Sequence, residues 1–145
     1  MAKIPLTRAM QVAIRSFDGH ELTLDAPLQP NVNDKGCAFG GSLVSLLTLA
    51  GWGLVLLRLE AQGLDCDIFV QDSTTHYREP LWSDLRAHAR ISGGDETWGG
   101  FVASLAARGR GRVRVACRVT TADGADACTL DARFVAIARA RGDTR

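Results

Sequence analysis

The chain has 145 residues, 46% of them hydrophobic, with 17 Lys and Arg against 16 Asp and Glu and a formal net charge of +1. That is the size of one domain with enough apolar content to bury a core, and its near-neutral balance excludes a global field drawing it to nucleic acid or anionic lipid. Four cysteines, Cys37, Cys66, Cys117 and Cys128, stand at irregular spacings without a C-x-x-C pair. This argues against a zinc site and a disulfide framework and for reduced, buried thiols, so neither a metal nor a cofactor is expected.

The N-terminal MAKIPLTRAMQVAIRSF lacks both a long apolar run and a small-residue cleavage site. It does not read as a secretory signal, and a cytoplasmic location is expected. Apolar and polar residues alternate over Met10–Phe17 and Glu21–Leu28 around Asp18-Gly19, which predicts a β-hairpin stopped by Pro27 and Pro30. From Gly40 to Leu57 no residue is charged, a length close to the roughly 17–25 residues that span a bilayer. The segment nevertheless contains Gly40, Gly41, Ser42, Ser45, Thr48, Gly51 and Gly53, and the strands around it need something to pack on. A helix from Gly40 to about Gly63, buried in a core rather than a membrane, is the expectation.

Next come two patterns that predict strands, CDIFVQDSTTHYREP closed by Pro80 and DLRAHARIS closed by Gly93-Gly94. Asp95 followed by Trp98, Phe101, Val102 and Leu105 predicts a short helix despite Gly99 and Gly100. Two long alternating stretches around ADGAD predict a last hairpin, and the tail RGDTR is expected to fray. The sum is an α+β layout: one domain over residues 1–145, a bent antiparallel sheet wrapped around one long apolar helix.

Asn33-x-x-Gly36-x-x-Phe39-Gly40-Gly41, continued by Leu46, Thr48 and Ala50, resembles the hot-dog thioesterase pattern N-x-x-G-x-x-H-G-G-x-x-x-x-L-x-D-x-A. With DSTTHYREP, it most resembles the thioesterase domain found at the C-terminus of YiiD-type proteins. The resemblance implies a hot-dog fold and a homodimer joined edge to edge, with pairing into tetramers left open. It also implies a thioester substrate carried on coenzyme A or an acyl carrier protein. Phe39 and Thr48 stand where many relatives have a His and an acid, so the commonest hydrolytic set is incomplete.

Thioester hydrolysis needs donors for the oxyanion and a group that activates water. The first-turn amides at Gly40 and Gly41 are the candidates for the first, because they lack intrahelical partners and carry no side chain to block a carbonyl, against the plain reading that the two glycines only let helix and sheet approach closely. Asp72 is the best replacement acid: on a regular strand it shares a face with Ile68 and Val70 before it and Thr74, His76 and Arg78 after it, where an apolar face turns polar. Asn33 is a family-based candidate to orient substrate or water. Ser42, Ser45 and Thr48 recur along one side of the helix, either lining the site or packing it against the sheet. Phe39 and His76 are candidate pocket residues. Cys37, near the helix start, is a candidate nucleophile with no His near it in sequence.

Arg108, Arg110, Arg112, Arg114 and Arg118 share one face if their strand is continuous. Arg110 and Arg112 are the candidates to hold the phosphates of coenzyme A or an acidic carrier protein, against the plain reading of a solvated face. Two rivals to the hydrolase remain. One is a non-catalytic acyl-thioester binding module, and the other is a hydroxyacyl dehydratase, whose chemistry wants a His with an acid.

Overall fold

The computed structural model describes residues 3–140, so the tail RGDTR lies outside the described residues. The chain opens with a helix, α1 (Pro5–Met10), where the alternation at its end pointed to strand. Pro5 presets the first helical turn, the Thr7 hydroxyl donates to the Ile4 carbonyl at 2.7 Å, and Gln11 ends the helix in the left-handed region at φ 60°. The first hairpin is therefore shorter than its pattern, β1 (Ala13–Phe17) with β2 (Glu21–Ala26). At its turn the Asp18 carboxylate accepts the N–H groups of His20 and Glu21, which holds that carboxyl below its usual range.

The central helix α2 (Gly40–Ala61) starts at the predicted glycine. After it come β3 (Cys66–Tyr77), β4 (Leu85–Ile91), α3 (Gly94–Arg108), β5 (Arg110–Thr120) and β6 (Asp126–Ala138). The six strands form one antiparallel sheet in the order β1-β2-β4-β5-β6-β3, wrapped around α2. β1 and β3 are the two edges.

One length of α2 is apolar and uncharged enough to cross a bilayer, yet it is the core helix. Leu46, Leu47, Leu54 and Val55 are fully buried with Leu24, Val115, Leu130 and Phe134 from the sheet. Gly51 sets the distance between the layers: a Cβ there would stand 2.8 Å from the Phe134 ring and 3.3 Å from the Cys117 sulfur. Because α2 is apolar on nearly all sides, its sequence carries little amphipathic pattern, and the sheet decides which side is covered.

The second apolar helix is longer than predicted. α3 buries Trp98, Phe101 and Leu105, and Phe101 packs on Gly111 of β5. The Trp98 indole donates to the Gln62 side chain at 2.9 Å while the Arg58 guanidinium lies 4.4 Å from its ring centre. Acidic Asp95 and Glu96 in the first turn and Gly109 beyond the last suit the helix ends, and together these features outweigh the cost of Gly99 and Gly100.

Candidate active site at the head of the central helix

The loop before α2 delivers its amides in a fixed pose. The Phe39 N–H bonds the Asn31 carbonyl at 2.8 Å, and the Ala38 N–H bonds the Leu81 carbonyl at 2.8 Å. Asn31 itself is buried, its side-chain amide donating to the carbonyls of Met10 and Pro27 at 3.0 and 2.8 Å. One asparagine thus ties α1, the chain after β2 and the helix entry together. Sequence reasoning passed over it for Asn33; the only signal was a polar residue between Pro30 and an apolar Val32.

Phe39 is the N-cap residue in extended backbone, without a side-chain cap, and the first helical bond runs from the Leu43 N–H to the Phe39 carbonyl. The N–H groups of Gly40, Gly41 and Ser42 therefore end the helix without intrahelical acceptors, at the positive end of its dipole. Two aromatic rings flank them. Phe39 folds over Gly41, where an added Cβ would meet its ring at 2.4 Å; the Tyr77 ring lies against Gly40, with its hydroxyl 3.4 Å from the Gly40 carbonyl. Both rings are more than half exposed, at 53% and 58%.

One turn along from this head begins a groove of about 370 Å³, lined by Val44, Ser45, Thr48, Leu49 and Trp52 of α2 with Ile4, Val70 and Phe134. Ser45 and Thr48 face this groove and make no side-chain hydrogen bond with the described residues, while the close helix–sheet approach falls to Gly51 and Gly53. Ser42 sits half-buried in the first turn, one step from the groove wall.

Asp72 is not where its spacing put it. Val70 is registered with Phe134 and Asp72 with Arg133, leaving Gln71 as the extra residue of a β-bulge. Val70 therefore faces α2, while Asp72 turns to the outer face, 55% exposed and 3.6 Å from the Arg133 guanidinium. Ser73, Thr75 and Tyr77 take over the helix-facing side, and His76, beside Thr129, is exposed on the outer face with Asp72. Residues lining the groove include no carboxylate and no imidazole.

Asn33 is committed to its own loop: its side-chain oxygen accepts from Lys35 N–H at 2.9 Å and Cys37 N–H at 3.2 Å, and its amide donates to the Cys37 sulfur at 3.2 Å. Its place is structural, fixing the turn before the helix. All four cysteines are buried free thiols. Burial pushes Cys117 up to about 12 and Cys128 up to about 11, and raises Cys66 with help from Asp65, so these three are poor nucleophiles. Among the described residues no group of His, Cys, Asp and Glu side chains converges to hold a metal.

Arg110, Arg112, Arg114 and Arg118 do share one face, the outer one, away from the groove; Arg108 belongs to the last turn of α3 instead.

Residues 1–138 match a family described as "putative thioesterase (yiiD_Cterm)". Among solved structures, a "putative thioesterase from Shewanella oneidensis" is 30% identical, with 94% of this chain and 90% of that chain covered at a TM-score of 0.82. A protein of unknown function from Chlorobaculum tepidum is 25% identical, with 95% and 89% covered at a TM-score of 0.89. A thioesterase from Haemophilus influenzae, 15% identical with 94% and 85% covered at a TM-score of 0.72, shares the fold.

Proposed function

Because this chain belongs to the thioesterase family of the YiiD C-terminal domain, with a hot-dog fold, we propose that it hydrolyses an acyl thioester carried on coenzyme A or an acyl carrier protein. One observation carries the reading: glycine amides without intrahelical acceptors stand at the head of α2, and an apolar groove begins one turn further along the same helix, at Val44. The acyl chain lies along Val44, Leu49 and Trp52, and its carbonyl oxygen meets the Gly40 and Gly41 N–H groups. The groove volume falls within the range of roughly 300–1,000 Å³ that small-ligand sites occupy.

Water attacks the carbonyl carbon, negative charge gathers on the oxygen facing the amides, the C–S bond breaks, and a water proton ends on the departing sulfur. Ser45, one turn from Gly41 with its hydroxyl facing the groove, orients that water in place of the carboxylate that Asp72 does not supply, and Thr48, about 10 Å along the helix from Gly41, meets the acyl chain. Phe39 and Tyr77 shield the oxyanion from bulk water, and a low dielectric strengthens its bonds to the amides.

The free edge of β3 supports a homodimer. β3 pairs on one side only, with β6, and a second copy would pair antiparallel along the other. The four buried thiols support a reducing, cytoplasmic location.

A second reading, a non-catalytic acyl-thioester binder, is favoured by the absence of carboxylate and imidazole from the groove lining. Thiol release from a panel of short, long and aromatic acyl-coenzyme A substrates separates the two. Turnover is expected to fall about tenfold or more in Ser45→Ala and to stay within about threefold of wild type in Asp72→Asn. Without a carboxylate base, kcat/KM should climb with pH through neutrality instead of levelling above about pH 5. Ligand binding without thiol release would establish the binder, and abolition by Asp72→Asn would restore that residue to the mechanism.

A further inference from the structure

The outer face of the sheet carries a charge arrangement that the groove does not use. Strand register places Arg110 beside Ile137, Arg112 beside Val135 and Arg114 beside Arg133, with Asp67, Phe69 and Asp72 of β3 one strand further across. Arg15, Arg86, Arg90 and Arg118 each meet a carboxylate, whereas Arg108, Arg110, Arg112 and Arg114 have no acidic partner among the described residues. Arg114 even stands directly across from Arg133, a like-charge pairing that costs stability where opposite charges would add to it.

Two hollows of about 410 and 420 Å³ flank Arg112, one reaching Ser104, Arg108 and Arg110, the other Ser92, Thr97 and Arg133. In the adjoining columns Phe69 and Ile137 are 54% and 44% exposed, with Val135 between them. A basic column thus runs beside the apolar pair Ile137 and Val135, with Phe69 one strand further across, between Asp67 and Asp72.

We infer that this face docks the carrier of a protein-borne thioester, through an acidic amphipathic helix of that carrier; the inference rests on the thioester reading above. The dimensions favour a helix over the phosphates of a small cofactor. Arg110 to Arg114 spans about 13 Å along the strand, and the apolar column lies about 4.8 Å away on the next one. A helix about 10 Å across, with acids on successive 5.4 Å turns and apolar residues on the adjoining stripe, covers both columns at once. Phosphate groups need donors, but they have no use for exposed Phe69 and Ile137.

The same placement links docking to chemistry. The arginine column is in register with Asp67 and Phe69 at one end of β3, while the head of α2 touches Tyr77 at the other. An antiparallel seam between two copies of β3 would set these ends side by side, with the arginines on the outer face and the partner's groove on the helix face of the joined sheet, so the carrier's thioester arm reaches the groove around the end of the sheet.

The test presents one medium-chain acyl group on a purified acyl carrier protein and on coenzyme A, with wild type and the Arg112→Glu and Arg114→Glu variants. Binding of the fluorescently labelled carrier is followed across a salt series. Charge reversal is expected to raise KM for the carrier-borne substrate about tenfold or more relative to the coenzyme A substrate, with kcat little changed. Labelled carrier should bind wild type in a salt-sensitive manner and lose that binding in both variants. Thermal melting checks the fold, and Arg114→Glu should melt no lower than wild type because Glu faces Arg133. Equal losses on both substrates, or no loss on the carrier, would overturn the proposal. If wild type hydrolyses neither substrate, the hydrolase reading falls, and the labelled-carrier titration still decides docking.

Discussion

The two long helices each carry a pair of closely spaced glycines, and the pairs do opposite things. In α2, Gly51 and Gly53 lie where the helix meets the sheet: an added Cβ would run into Phe134 at one position and Leu22, at 2.9 Å, at the other. In α3, Gly99 and Gly100 face open space, and a Cβ would touch nothing within 4 Å. The first pair is demanded by packing, while the second only weakens a helix held by Trp98, Phe101 and Leu105. A glycine in a helical pattern therefore says nothing by itself; what its missing side chain would strike gives it meaning.

Gly51→Val tests the demanding pair most severely. With Phe134 fully buried and Cys117 behind it, the helix must move outward, and a loss of about 2–4 kcal/mol in a denaturant titration is expected. An unchanged midpoint would show that the layers have slack.

The thiol beside Gly51 gives a subtler probe of the same contact. Cys117 is held protonated by burial, its folded value raised from about 9 to about 12. The stability linked to it is present below about pH 9 and is lost as pH rises toward 12, because only the unfolded chain ionises in that window. Melting temperature should accordingly fall with pH above about 9, and less steeply in Cys117→Ala. Equal slopes would contradict a buried neutral thiol.

At the permissive end, Gly100→Ala should stabilise by about 0.5–1 kcal/mol, since Ala is the better helix former and nothing obstructs its methyl. Destabilisation there would mean that the exposed side of α3 has a contact of its own.

Much of this was open to reading from the chain. Gly40 marked the head of α2, the uncharged run marked the core, and alternation marked β5 and β6. Asp72 shows the limit. Its face follows from counting along β3 only if the strand is regular, and the extra residue at Gln71 inverts every position after it. No local feature of VQDST announces that bulge, which depends on how β6 registers against it. Asn31 and Asn33 show a second limit: both lie in one polar loop, and only tertiary packing makes one a buried tie and the other a turn residue. α1 escaped for a third reason, because a single helical turn and a strand end share the same short pattern.

The strand order also governs the sequence of events when the protein is made. β3 leaves the ribosome directly after α2, but among the described residues its only strand partner is β6, the last strand of the sheet in chain order. At about 5–20 residues per second, the stretch from Tyr77 to Ala138 takes several seconds to synthesise. Throughout that interval a twelve-residue strand bearing Phe69 and Val70 stands without its neighbour, and the closing of the sheet waits for β6. This leaves the nascent sheet exposed to misassembly until β6 has emerged, and it places the selective burden of fast, faithful closure on β6.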